Sequence, residues 1–201
     1  MVMAAVLVLA ACASAGPPVR LHTLMSAELA PRSAAVAGGV PEPIAVEPIR
    51  LPAQVDQPQW LVRLTDGSLA ALEQERWASP LGDEFRQALL EELFAHAGVV
   101  ESRNSAAGAA PAVRVAIDVR RFDSIVGREA RIEGSWTLLP ASSGALSVRC
   151  EWLLREPAPA GMAELAAAHR RAIVRLADGL GDSLVSLRRG ERVACPPSDP
   201  R

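Results

Sequence analysis

The chain of 201 residues has no lysine and no tyrosine, and only 3% of it is aromatic. With so few rings, a core has to come chiefly from Ala, Val, Leu and Ile; half of the residues are hydrophobic, which is enough to build one. All 21 basic residues are arginine, from which no function is read, and together with 23 acidic ones they leave a net charge of −2. That balance gives no bulk attraction to nucleic acid or to an acidic surface. Metal-ligand spacing is missing as well. His22, His96 and His169 fall in separate elements, so surface or capping roles outweigh metal or base roles. No glycine-rich phosphate loop and no G-x-S-x-G elbow is present. Asp118 and Asp123, with Arg120 and Arg121, form a charged cluster that reads as a solvated strand face rather than an acid–base pair. No catalytic residues are therefore assigned. Beyond the N-terminus, no run reaches the roughly 20 apolar residues of a spanning helix.

The N-terminus itself carries the clearest signal. Met1 to Ala13 is uninterrupted apolar or small, built like a secretory signal peptide although no Arg precedes it. Within it, Leu9-Ala10-Ala11-Cys12 resembles the lipobox of bacterial lipoproteins. That resemblance implies cleavage before Cys12, a thioether-linked diacylglycerol and a further fatty acyl chain such as palmitate, with no other cofactor. Small residues admit the chain to a peptidase, and only a thiolate forms the thioether. Several acyl chains anchor stably where a single chain is marginal. Ala13 rather than Asp after the cysteine points to the outer membrane. The expectation is an exported protein, soluble apart from Cys12.

Further along, Val19 to Leu24 has the texture of a short strand, and residues 26–43 read as a Pro/Ala/Gly-rich linker. A flexible linker of that length would reach about 20–25 Å. Ile44–Val46 and Ile49–Leu51 read as one strand interrupted by Pro48, hence an edge or bulged strand. Trp60–Leu64 and Leu69–Leu72 flank Asp66-Gly67 as a hairpin. Ser79-Pro80 starts a helix with Ser79 as its N-cap and Gly98 as its end; Leu81, Phe85, Leu89 and Leu93 form its apolar row. Three alternating segments follow as an antiparallel meander: Val113–Arg120, Arg131–Leu138 and Leu146–Leu154. A long helix then runs from Met162 to Arg189, with a kink expected at Gly179 and Gly181, before a frayed tail.

Two questions stay open at this level. Cys150 and Cys195 make an even pair in an oxidising compartment, yet Cys150 shares the buried phase of its strand, where a free thiol is equally at home. Trp60 and Trp77 either close the edge of the core or anchor a partner.

Read in order, the lipobox Cys12, "VRLHTL", the linker, "IRLPAQVDQPQWLVR", "LEQERWASPLGDEFRQALLEEL", "VRVAIDVRRFD", a strand hairpin and an Ala/Leu-rich helix resemble the ABC-type transport auxiliary lipoproteins, the PqiC/YmbA-like family. The resemblance implies a mixed sheet flanked by helices. Combined with the elements above, it gives a single α/β domain of α+β character, with a mostly antiparallel sheet of about five strands and two main helices. The expected divisions are a signal peptide (1–11), an anchored segment and linker (12–43), the domain (44–190) and a tail (191–201). It also implies a non-enzymatic outer-membrane lipoprotein facing the periplasm and no catalytic residues. Its partners would be an MCE-type periplasmic subunit and inner-membrane permease or ABC components, in lipid transport that supports membrane integrity. Some members of the family assemble as rings. For the partner surface the candidates are the "LPAQVDQPQWLVR" loop and strand, with Trp60 as anchor and with Leu61 and Arg63, and Trp77. The alternative is a periplasmic lipoprotein that binds a small ligand or cell-wall fragment in its own pocket.

Overall fold

In chain order the elements are β1 (Arg20–His22), β2 (Glu42–Val46), β3 (Gln59–Arg63), β4 (Leu69–Trp77), α1 (Leu81–Ala97), β5 (Val99–Glu101), β6 (Val113–Ile125), β7 (Glu129–Pro140), β8 (Val148–Pro157) and α2 (Met162–Arg188). They come from a computed structural model that describes residues 17–26, 42–102, 110–142 and 146–200. Cys12 and nearly all of the expected linker lie outside the described residues.

The long alternating segments form the backbone of the fold. β6, β7 and β8 pair antiparallel, and β2 and β5 add in parallel, giving the order β5-β2-β6-β7-β8. A second sheet, ordered β1-β4-β3, joins the first where β3 packs on β6. α2 lies on β7 and β8 and against α1. One continuous hydrophobic core takes side chains from both sheets and both helices. The fold class is thus the expected single α+β domain, with a three-stranded sheet beside the five-stranded one.

Local departures from the pattern have physical causes. Ile44–Val46 is not an edge: β5, too short to show a period, covers its far side. Beyond Pro48, which has no N–H to leave unpaired, the chain rejoins β6 through Arg50 N–H to the Ile117 carbonyl (3.2 Å). A bulge between Val119 and Arg121 shifts the phase of β6, so Phe122 and Ser124 join Val113, Val115, Ile117 and Val119 inside. Opposite the bulge stands Gly134, where a Cβ would lie 2.3 Å from the Asp118 carbonyl oxygen; only glycine fits. Leu146 precedes β8 and is exposed, outside the buried phase expected for it.

α1 begins after Pro80, and no side chain caps its first turn. Ser79 instead donates its hydroxyl to buried Glu84 (2.7 Å), which also accepts from the Leu24 N–H (2.8 Å) and the Thr23 hydroxyl (2.6 Å). A first-turn acid thereby pins the segment that follows β1. α1 closes with Gly98 at φ 63°, its N–H on the Phe94 carbonyl (3.0 Å). α2 runs uninterrupted through Gly179 and Gly181. These glycines are close-approach points rather than a kink: an added Cβ would meet Pro196 at 2.8 Å and His96 at 2.6 Å.

The segment after α2 is docked, not frayed. Cys150 and Cys195 are joined as a disulfide with Cα atoms 5.3 Å apart. Asp199 takes the Arg155 N–H (2.7 Å), gives its own N–H to the Leu153 carbonyl (2.9 Å) and pairs with Arg175 (2.7 Å). β8 is an edge strand, and this segment occupies its free side.

Candidate functional site

The two tryptophans singled out by sequence meet in the interior. Period two puts Trp60 and Val62 on the inner face of β3, and a register shift between β3 and β4 turns Trp77, the last residue of β4, inward as well. Their rings lie 4.1 Å apart between centroids, and they are only 1% and 5% exposed. Neither anchors a partner on the surface, because both close the seam between the two sheets. Trp60 Nε1 donates to Ser124 Oγ (2.8 Å), which lies 2.8 Å from His169 Nε2. Satisfying all three groups sends the serine proton toward Nε2.

His169 is fully buried and stacks on Phe122 at 4.1 Å, so the surface role expected of it does not hold. Burial lowers its pKa to about 3, against a weaker opposing pull from the Asp123 carboxylate. The imidazole is therefore neutral, and its Nδ1 has no hydrogen-bond partner. Ser124 and His169 resemble a nucleophile and base only in composition. Both are sealed from solvent, and the hydroxyl already accepts from Trp60.

Charged side chains frame this cluster. Arg63 (2.8 Å) and Arg121 (3.1 Å) both hold Asp123. Burial pushes that carboxyl up, and the two guanidinium hydrogen bonds outweigh it to leave the pKa lowered. Arg120, on the outer side of the bulge, is bidentate to Glu151 (3.0 and 3.1 Å). Across the seam, buried Glu75 accepts from His22 Nε2 (2.6 Å) and from Arg20. Here too burial raises the carboxyl while these bonds bring it below its ordinary value. His96 lies between Asp178 (3.3 Å) and Asp182 (2.9 Å) on α2, an interhelical pairing rather than a simple helix-end cation. Among the described residues no group of three or more His, Cys, Asp or Glu is placed to hold a metal.

Surface access lies next to the seam rather than in it. A cleft of about 440 Å³ opens between Asp56–Pro58 and the β4–α1 junction, lined there by buried Trp77 and Leu81 and by exposed Ala78 and Pro80. Its lining is mostly apolar, with Asp56, Gln57 and Ser79 as the polar side chains. Of the sequence candidates, Trp77 contributes to its wall. Leu61 and Arg63 are half-buried on the other face of β3. Cys12 lies outside the described residues. "WASPL" reads as a helix start, and only the fold sets it beside the "DQP" of the candidate loop.

The family model described as "ABC-type transport auxiliary lipoprotein component" matches residues 23–180. A crystal structure of an uncharacterized protein aligns with a TM-score of 0.62 at 16% identity, covering 72% of this chain and 95% of its own. A Xanthomonas campestris protein of the DUF330 family aligns with a TM-score of 0.60 at 25% identity, covering 76% and 91%. No curated protein matches the chain. Among the described residues no helix is long and apolar enough to cross a membrane.

Proposed function

Because the chain belongs to the ABC-type transport auxiliary lipoprotein family, we propose that it is the non-enzymatic outer-membrane lipoprotein subunit of an MCE/ABC-type lipid transporter. The family match carries this reading, and the lipobox at Cys12 supplies the anchor. In it, the signal peptide is removed, Cys12 bears the acyl chains, and the body faces the periplasm. The docking surface for the MCE-type subunit is the cleft between Asp56–Pro58, in the expected loop, and Trp77–Leu81, rather than the Trp60 side chain. That cleft is the accessible apolar site beside the buried tryptophans.

Co-purification from membranes tests the partner. An MCE-type subunit is expected to come down with the wild-type chain and to be lost from a Gln57→Arg variant that fills the cleft rim. Retention of a small ligand with no protein partner would favour an own-pocket binding protein instead. Fatty-acid labelling tests the anchor: label on wild type and none on Cys12→Ala is expected, and equal label on both sinks it.

A further inference from the structure

We propose that the C-terminal segment is a latched cover on β8, and that the edge beneath it pairs with β8 of a second copy of this chain when the latch is open. The inference rests on neither the anchor nor the partner proposed above.

The cover is held mainly at its two ends. At one end the Cys150–Cys195 disulfide joins it to the strand. At the other, Asp199 accepts from the Arg155 N–H (2.7 Å) and pairs with Arg175 (2.7 Å). Between them Ser198 Oγ donates to the Glu151 carbonyl at 3.4 Å. Among the described residues, the segment makes one backbone-to-backbone hydrogen bond with β8, from the Asp199 N–H to the Leu153 carbonyl (2.9 Å). Pro196, Pro197 and Pro200 have no N–H, so the segment is a poor ladder strand and offers little edge of its own to another.

The strand it covers is complementary to itself. The bonds at Leu153 and Arg155 show that the odd-numbered residues of β8 turn their backbone groups away from β7. An antiparallel second copy centred on Leu153 sets Leu153 opposite Leu153, with Glu151 opposite Arg155 on either side. Glu151, Leu153 and Arg155 of each copy then gain a ladder partner for N–H and C=O, and opposite charges flank an apolar centre. Centring on Glu151 or Trp152 instead opposes like charges, Glu151 with Glu151 or Arg149 with Arg155. Such a pairing is isologous and closes at two copies. Leu153 is only 5% exposed although it stands outside the hydrophobic core, among Arg120, Glu133, Ser198 and Asp199. The cover thus helps to bury the residue on which the pairing centres.

Opening the latch is thiol–disulfide exchange at the exposed Cys195. A dithiol gives two electrons and two protons to the bridge, becomes a disulfide itself, and leaves Cys150 and Cys195 as thiols.

The test is the protein mass of the acylated full chain by sedimentation equilibrium in density-matched detergent. The latch is opened in two ways: dithiothreitol on wild type, and a Cys150→Ala, Cys195→Ala, Asp199→Ala variant that also frees the far end and excludes disulfide-linked dimers. In both, mass is expected to rise with concentration toward twice that of oxidised wild type. Adding Arg155→Glu, which sets Glu opposite Glu151, is expected to return it to the wild-type value. Amide exchange in the dilute variant should be faster at Arg155 and unchanged along the β6–β7 ladder. If that ladder is lost, reduced wild type with and without Arg155→Glu decides on the same readouts. Mass that stays at the oxidised value in both opened forms overturns the proposal. So does a rise that Arg155→Glu leaves intact, since the copies then meet elsewhere.

Discussion

At the scale of single residues, the most consequential side chain is His169, an imidazole sealed between Phe122, Trp60 and Ser124. Its folded pKa of about 3 lies far below the ordinary 6.5. Between those values the unfolded chain binds a proton that the folded chain refuses. Its contribution to stability is therefore intact above pH 6.5 and lost as pH falls toward 3, by at most about 1.4 kcal/mol per pH unit. Glu75, Asp123 and Asp199, all held below their usual range, lose stability in the same direction as they protonate. Comparing wild type with His169→Gln separates the two contributions, since the carboxylates remain in both. Urea unfolding at pH 7, 5.5 and 4.5 should show a steeper loss in wild type, with the curves converging or crossing at low pH. Parallel curves would mean that His169 is not buried neutral.

Among the elements, the segment after α2 makes the sharpest claim. The disulfide closes a separation of 45 residues, for which chain entropy gives about 4 kcal/mol as an upper bound. Reductant or Cys195→Ala is expected to lower Tm by up to about 10 °C in thermal unfolding. The Arg175–Asp199 pair remains to hold the segment loosely. An unchanged Tm would show that the bridge adds nothing to the native state. This element also marks how far the sequence could be read. Helices, the Asp66-Gly67 hairpin and the meander were legible because their hydrophobic periods are local. Of the two three-residue strands, β1 was legible within Val19 to Leu24, but β5 and the pairing of both were not, since that pairing is parallel and joins residues 55 or more apart, as in Arg20 with Glu75. The Cys150–Cys195 pairing stayed open for the same reason: burial phase is local, but a partner across the sheet edge is not. For the candidate site, period two already placed Trp60 in phase with Val62 and opposite Leu61 and Arg63. An inward tryptophan was therefore readable, and the cleft beside it was not.

On the scale of the whole molecule, the three-stranded sheet works as a spacer with two unlike ends. One end holds the hairpin tip; the other holds the cleft proposed for the partner and, beside it, β1, which the eight residues from Cys12 join at Arg20, opposite Glu75. About eight strand residues separate them, or some 26 Å along β4. A body on so short a leash presents its cleft at a height set by its own dimensions, whereas a body on a flexible linker would sample many heights. The two internal connections can be told apart by insertion. Twenty Gly/Ser residues placed between Cys12 and Pro17 add a flexible chain of about 25 Å root-mean-square span. They should weaken capture of the MCE-type subunit, with little change in Tm. The same insertion within residues 27–41 only enlarges a loop whose ends are both held, at well under about 1 kcal/mol, and should leave capture as it was. If the second insertion acts like the first, residues 26–43 do serve as the tether and β1 does not belong to the anchored body. Height above the membrane is then set by a linker rather than by a sheet.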